Sequence, residues 1–135
     1  MPPTSRSARP AAPDSPSELL RGTLDTLILK TVSRGPLHGY GIGRWLESAT
    51  DDALRIEEGS LYPALYRLER RGLLTSEWGT SELGRRAKHY RLTRDGRARL
   101  ERETEAWELF STAVSRVLLG EGAGLVGVAG EGVSP

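Results

Sequence analysis

From Glu58 to Gly72 the chain reads Glu-Gly-Ser-Leu-Tyr-Pro-Ala-Leu-Tyr-Arg-Leu-Glu-Arg-Arg-Gly, so phenols and guanidinium groups are interleaved with apolar residues. Leu61, Ala64, Leu65 and Leu68 recur at helical spacing and predict one apolar stripe. At about 100° per residue, Pro63, Tyr66, Arg67 and Arg70 fall on the opposite side, with Tyr62 on its shoulder. Gly59-Ser60 reads as a helix start and Arg70-Arg71-Gly72 as a helix stop. Phenols, Ser60 and the N–H groups at a helix start can bind phosphate, and Arg67 or Arg70 can bind phosphate or a guanine edge. A helix of this size fits the DNA major groove, roughly 12 Å wide. Taken alone, the stretch is equally well an ordinary solvated amphipathic helix, and its neighbours have to decide.

The first neighbour is Ser81-Glu82-Leu83-Gly84-Arg85-Arg86-Ala87-Lys88. Three cations at the base of a hairpin suit phosphate or minor-groove contact, although each arginine alone reads as solvent-facing. Helix and basic loop together are a more specific signal than either half. Gly39-Tyr40-Gly41-Ile42-Gly43 lacks the G-x-G-x-x-G spacing and a preceding strand, so its glycines read as sites of close helix packing. His38 is expected to touch a phosphate or to cap the second helix. With His89 far away in the chain, no metal site is expected, and no cofactor. No Ser-His-Asp ordering, P-loop or carboxylate pair points to catalysis.

These groups need elements to hold them. A first helix is expected from about Ser17 to Arg34, with Leu20, Leu24, Leu27, Ile28 and Thr31 on one face and Gly35-Pro36 as its stop. A second begins near Leu37 and carries Ile42, Trp45, Leu46 and Ala49 on one face. A polar connection over Asp51–Ile56 is expected to contain a short strand. After Gly72 the period changes: Leu73–Trp78 and Ala87–Leu92 read as strands. The polar loop between them, Gly79–Arg86, looks too long for a tight turn, and Glu77 and Lys88 are expected to pair across the ladder. Thr93 to Gly96 caps a final helix reaching Leu119, on which Leu100, Trp107, Phe110, Val114 and Val117 follow a seven-residue rhythm. Trp107 and Phe110 read first as dimer core and second as the lining of a pocket for a flat hydrophobic effector. The expected fold is mostly α (α+β): a winged helix-turn-helix followed by a long C-terminal dimerisation helix.

The organisation expected is a disordered Pro-rich tail over 1–17, a DNA-binding domain over 18–93, the dimerisation helix over 94–119 and a flexible Gly-rich tail over 120–135. With 135 residues and an apolar fraction of 37%, the core is small, and part of the apolar surface is expected to meet a second copy, with Leu24 and Ile28 contributing beside the last helix. The net charge of +1 hides an asymmetry: Arg55–Arg99 holds ten Arg and one Lys against six acids, whereas Glu101–Glu121 holds five acids against two Arg. That points to a local basic face. The absence of cysteine excludes disulfides and thiolate chemistry. No apolar run approaches about 18 residues and no signal-peptide core is present, so a cytoplasmic protein without a membrane segment is expected.

The segments Leu24–Leu29, His38–Ile42, Glu58–Glu69 and Arg85–Thr93 together resemble the PadR family of bacterial transcriptional regulators, the match extending over Leu19–Leu119. The short length resembles the compact branch, with one helix after the wing. The resemblance implies a homodimeric repressor on inverted-repeat, double-stranded operators, often released by small phenolic or drug-like molecules. By matching position it puts Ser60, Tyr62, Pro63 and Tyr66 in the recognition helix, Tyr40 near the phosphate backbone and Arg86 and Lys88 in the wing. Trp107 matches an interfacial tryptophan that stacks on flat ligands. The dimer so implied sets two reading helices about one DNA turn, roughly 34 Å, apart. The competing reading is a winged-helix module that docks its Tyr62/Tyr66 face onto a partner protein.

Overall fold

Apolar periodicity and a handful of end signals account for the elements seen over residues 22–120, the span that the computed structural model describes. In order they are α1 (Leu24–Ser33), β1 (Leu37–His38), α2 (Gly39–Ala49), α3 (Glu58–Arg70), β2 (Leu74–Thr80), β3 (Arg86–Leu92) and α4 (Arg94–Leu119). The Pro-rich segment 1–17, the expected opening of the first helix over 17–21 and all but the first residue of the Gly-rich segment 120–135 lie outside the described residues. The strands form one antiparallel sheet in the order β1-β3-β2. Helix, helix, helix, hairpin and helix is the winged helix-turn-helix order expected from the sequence.

The core gathers one face of every element up to the start of α4: Ile28, Leu29 and Val32 of α1, Ile42 and Leu46 of α2, Leu61, Ala64, Leu65 and Leu68 of α3, Leu74 and Tyr90 of the sheet, and Leu100. α1 lies centrally, packed on α2, α3 and β3. Its wide apolar arc is thereby used within one protomer: Leu24 and Ile28 are buried here, Ile28 completely, and Leu100 is buried with them. These three residues are therefore corrected from interface to core, because the neighbouring helices and sheet already cover them.

Four local expectations also change. Leu37 and His38 do not start α2; they pair with Tyr90 and His89 as a third strand. Asp51–Ile56 holds no strand, since Asp51 and Asp52 turn the chain with φ of 52° and 62° and the Asp52 N–H bonds the Glu47 carbonyl at 2.7 Å. Asp is among the few residues that accept this left-handed backbone. The hairpin is longer than expected, pairing through Thr80 and Arg86, because Gly84 at φ 77° and the Ser81–Arg85 bond at 2.8 Å close a five-residue turn. Glu77 and Lys88 do not pair: they are one register step apart, Glu77 opposite His89 and Lys88 opposite Trp78, and so lie on opposite faces of the sheet.

Helix ends follow the sequence signals. At the end of α3, Gly72 at φ 76° allows its N–H to reach the Glu69 carbonyl and that of Leu73 to reach Leu68, both at 3.0 Å. At the start of α4, the Thr93 hydroxyl accepts the Gly96 N–H at 2.9 Å and donates to the Gly72 carbonyl at 2.7 Å. One side chain thus caps α4 and ties it to the exit of α3. Beyond Leu100 the helix forms a separate unit. In it Trp107 and Phe110 are 52% and 63% exposed, and Leu109, Val117, Leu118 and Leu119 are exposed as well. Among the described residues no helix is long and apolar enough to cross a membrane.

Gly96 is where this packing tolerates least, because a Cβ there would run into the Leu73 backbone carbonyl and sit 2.8 Å from the Leu92 side chain. Backbone cannot swing aside as a side-chain tip can, so overpacking of about 1–3 kcal/mol is expected for Gly96→Ala. Urea unfolding should show that loss; a midpoint equal to wild type would mean the α4–sheet contact is looser than described.

Candidate nucleic-acid interface

The back of α3 fixes its front. With Leu61, Ala64, Leu65 and Leu68 buried against the core, Tyr62, Pro63, Tyr66, Arg67 and Arg70 are turned outward, Tyr66 being 60% exposed. Pro63 lies inside the helix, where its missing N–H removes one main-chain bond, a cost that core packing does not require at an exposed position. Gly39 sets the height of Tyr62: a Cβ on Gly39 would come within 2.6 Å of the phenol ring, so the start of α2 and the start of α3 can approach only through a glycine. The expectation that the α2 glycines serve close packing holds at Gly39. Burial first, and then the negative charge of Glu58, push the Tyr62 phenol above its usual range.

The N-terminus of α3 is less open than its sequence suggests. Ser60 is exposed, but its N–H bonds the Glu57 carbonyl at 3.0 Å, and Glu57 and Glu58 bring negative charge to that end. Arg67 is paired with Asp25 of α1 at 3.0 Å, an exposed contact worth about 0.2–1 kcal/mol that a phosphate can replace. Arg70 donates to the Tyr66 hydroxyl at 3.3 Å and lies 5.7 Å from the centre of that ring, which orders both groups on the front. On α2, Tyr40 is exposed, with the Arg44 guanidinium 6.0 Å over its ring.

His38 has a different part from the one expected at a phosphate. It is only 5% exposed, and both ring nitrogens are engaged: Nδ1 accepts the Gly41 N–H at 3.0 Å, and Nε2 meets Glu82 Oε1 at 2.8 Å. The capping alternative holds, and no ring nitrogen is left for DNA. Because Nδ1 accepts, the neutral ring carries its proton on Nε2 and donates it to Glu82. That hydrogen bond is the first cause holding the exposed Glu82 carboxyl below the usual carboxylate range. With its folded pKa lowered, Glu82 contributes to stability above the ordinary value of about 4.3, and the contribution is lost only as pH falls through the lowered value.

The wing brings its cations to one neighbourhood by different means. Arg85 and Arg86 are exposed at the hairpin end, and Arg86 stacks 4.4 Å over the indole of Trp78. Lys88, opposite Trp78, is half-buried and reaches Glu69 of α3 at 3.4 Å. Glu69 also accepts the Ser76 hydroxyl at 2.7 Å, so a single carboxylate joins α3 to both long strands. Glu69, Trp78 and Glu82 were not singled out from sequence, for their partners lie 7 to 44 positions away and only the fold brings them together. The rings of Trp107 and Phe110 lie side by side within α4, tilted by 51° with centroids 6.4 Å apart. No cluster suited to a metal ion occurs among the described residues.

With this geometry in hand, comparison with known proteins is specific. Residues 28–102 match the family model of the transcriptional regulator PadR-like family. A transcriptional regulator of Mycobacterium tuberculosis is 36% identical over 92 residues, which are 67% of this chain and 81% of that protein. A PadR-like regulator from Bacillus cereus superposes with a TM-score of 0.67 at 32% identity, covering 77% of this chain and 99% of that one. A regulator from Clostridium thermocellum gives a TM-score of 0.67 at 33% identity, over 73% and 96% of the two chains. A winged helix-turn-helix whose outward helix carries phenols and arginines beside a basic hairpin, matched over more than half its length by that family model, belongs to the PadR-like family of DNA-binding transcriptional regulators.

Proposed function

We propose that this regulator is a homodimeric repressor that grips inverted-repeat DNA with α3 in the major groove and the β2–β3 wing on the flanking backbone. The observation that carries the reading is the front of α3, where Tyr62, Pro63 and Tyr66 stand exposed above a fully packed back. Sequence reading falls to these side chains and to Ser60, whose hydroxyl is exposed at the helix start. Arg67 joins them by exchanging Asp25 for a phosphate or a base edge. Tyr40, Arg85 and Arg86 supply sequence-independent contacts, and Lys88 adds positive potential from beneath the wing. His38 acts as a cap and does not touch DNA.

The test is a fluorescence-anisotropy titration of DNA from upstream of the protein's own coding sequence against a scrambled duplex, at several salt concentrations. Salt-sensitive preference for the upstream sequence supports the reading; equal binding to both, or none, points instead to a protein-docking role for the Tyr62/Tyr66 face. Arg85→Ala combined with Arg86→Ala should weaken binding to every sequence alike and reduce the salt slope by about 2, at roughly 0.9 per phosphate contact. A change in sequence preference in that variant would mean that the wing reads bases.

Dimerisation is assigned to α4. Its exposed Trp107, Phe110 and Val117, with the half-exposed Val114, repeat at the spacing of a helix-pairing seam and offer more aromatic surface than a lone helix leaves to water. Trp107→Ala with Phe110→Ala should give a monomer in sedimentation velocity with α1–α3 still folded; a dimer of unchanged affinity would move the interface elsewhere. The same aromatic pair is suited to stack on a small flat hydrophobic effector that releases the operator. With Trp45→Phe and Trp78→Phe as background, binding of a planar aromatic compound should quench Trp107 and lower DNA affinity together, and quenching without that loss would rule out an effector role.

A further inference from the structure

The hairpin turn of the wing is well closed on itself and, among the described residues, is tied to the helical part of the domain through Glu82. Within the turn, Ser81 N–H bonds the Arg85 carbonyl and Gly84 N–H bonds the Ser81 carbonyl, both at 2.8 Å, while the Ser81 hydroxyl accepts the Leu83 and Arg85 N–H groups at 3.3 Å. All four bonds shape the turn and none ties it to the helices. The tie is Glu82, which crosses 44 positions of sequence to His38. Its partner is already immobile: the imidazole is buried, capped onto the Gly41 N–H and packed edge-on against the His89 ring at 5.3 Å. His89 is itself backed by Gly79, where a Cβ would stand 3.1 Å from its ring.

Charge alone gives no reason for Glu82. It is an exposed carboxylate within three or four residues of Arg85 and Arg86, on the element that the DNA-binding reading brings to phosphates, where a negative charge repels the ligand. We propose that Glu82 is a positioning residue of the DNA-binding wing, latching the turn to the buried His38 so that Arg85 and Arg86 are held at a fixed distance from α3. The inference rests on the DNA-binding reading, and it deepens it. A wing fixed before DNA arrives loses less freedom on binding than one that has to be ordered by the contact. The latch depends on a hydrogen-bond acceptor at position 82 and not on the charge, so glutamine can serve.

Electrostatics and the latch predict opposite signs, which makes the test decisive. In anisotropy titrations against the same upstream duplex, Glu82→Ala should weaken binding about three- to tenfold although it removes a negative charge, the size expected for one lost hydrogen bond. Glu82→Gln should bind as well as wild type or better. Binding by Glu82→Ala that equals or exceeds wild type would overturn the proposal, as would a Glu82→Gln protein as weak as the alanine variant. Amide hydrogen exchange over residues 81–85, measured without DNA, keeps this apart from failure of the DNA-binding reading. Faster exchange in Glu82→Ala but not in Glu82→Gln supports the latch even if no duplex binds, and equal rates in all three proteins reject it.

Discussion

Everything the domain presents to a ligand depends on burial of one side of α3. Leu61, Leu65 and Leu68 are at most 2% exposed, and each stabilises by about 1.5–3 kcal/mol relative to remaining in water. The polar contacts on the other side, Arg67 to Asp25 and Arg70 to Tyr66, are exposed and worth about 1 kcal/mol or less apiece. Packing therefore sets the rotation of the helix, and the front is whatever the back leaves over. Tyr62, Pro63 and Tyr66 reach solvent because no rotation that hid them would keep the leucines buried.

The same core holds the surrounding parts at defined heights. Gly39 admits the Tyr62 ring against the start of α2, and Gly96 lets α4 begin against the Leu73 carbonyl. Thr93 then fastens that start to the exit of α3 through Gly72. Small residues and one hydroxyl do what larger side chains could not, because each site brings backbone against backbone or ring. The wing, having few core residues of its own beyond Leu74 and Tyr90, relies on two carboxylates instead: Glu69 of α3, which meets the hairpin at Ser76 and Lys88, and Glu82 at the hairpin's end. Both are paired to residues far away in sequence, so wing position is a property of the assembled domain.

Much of this was legible beforehand. The apolar repeat of Leu61, Ala64, Leu65 and Leu68 gives both the helix and its buried side, and Gly72 and Thr93 give helix ends that match to within a residue or two. Strand pairing was read less well. Leu37 and His38 make a strand only because Tyr90 and His89 lie beside them, and Thr80 with Arg86 extends the hairpin because Gly84 allows the turn. A Leu-His pair and the polar stretch Gly79–Arg86 carry no periodicity from which either outcome can be told. Leu24, Ile28 and Leu100 show the converse ambiguity, for an apolar helix face reads the same whether its cover is intramolecular or a second chain.

The sequence by itself determined the helices and the two long strands, the family and which residues of α3 face outward, since those follow from local periodicity and from motifs that survive without knowledge of contacts. Tertiary structure alone decided that His38 is a buried cap, that Lys88 answers to Glu69 and not Glu77, and that Arg86 lies on Trp78. Those outcomes depend on strand register and on side chains meeting across 7 to 44 positions, and a one-residue shift of register would reverse which of them share a face. Spacing along a helix is local information; partnership across a sheet is not.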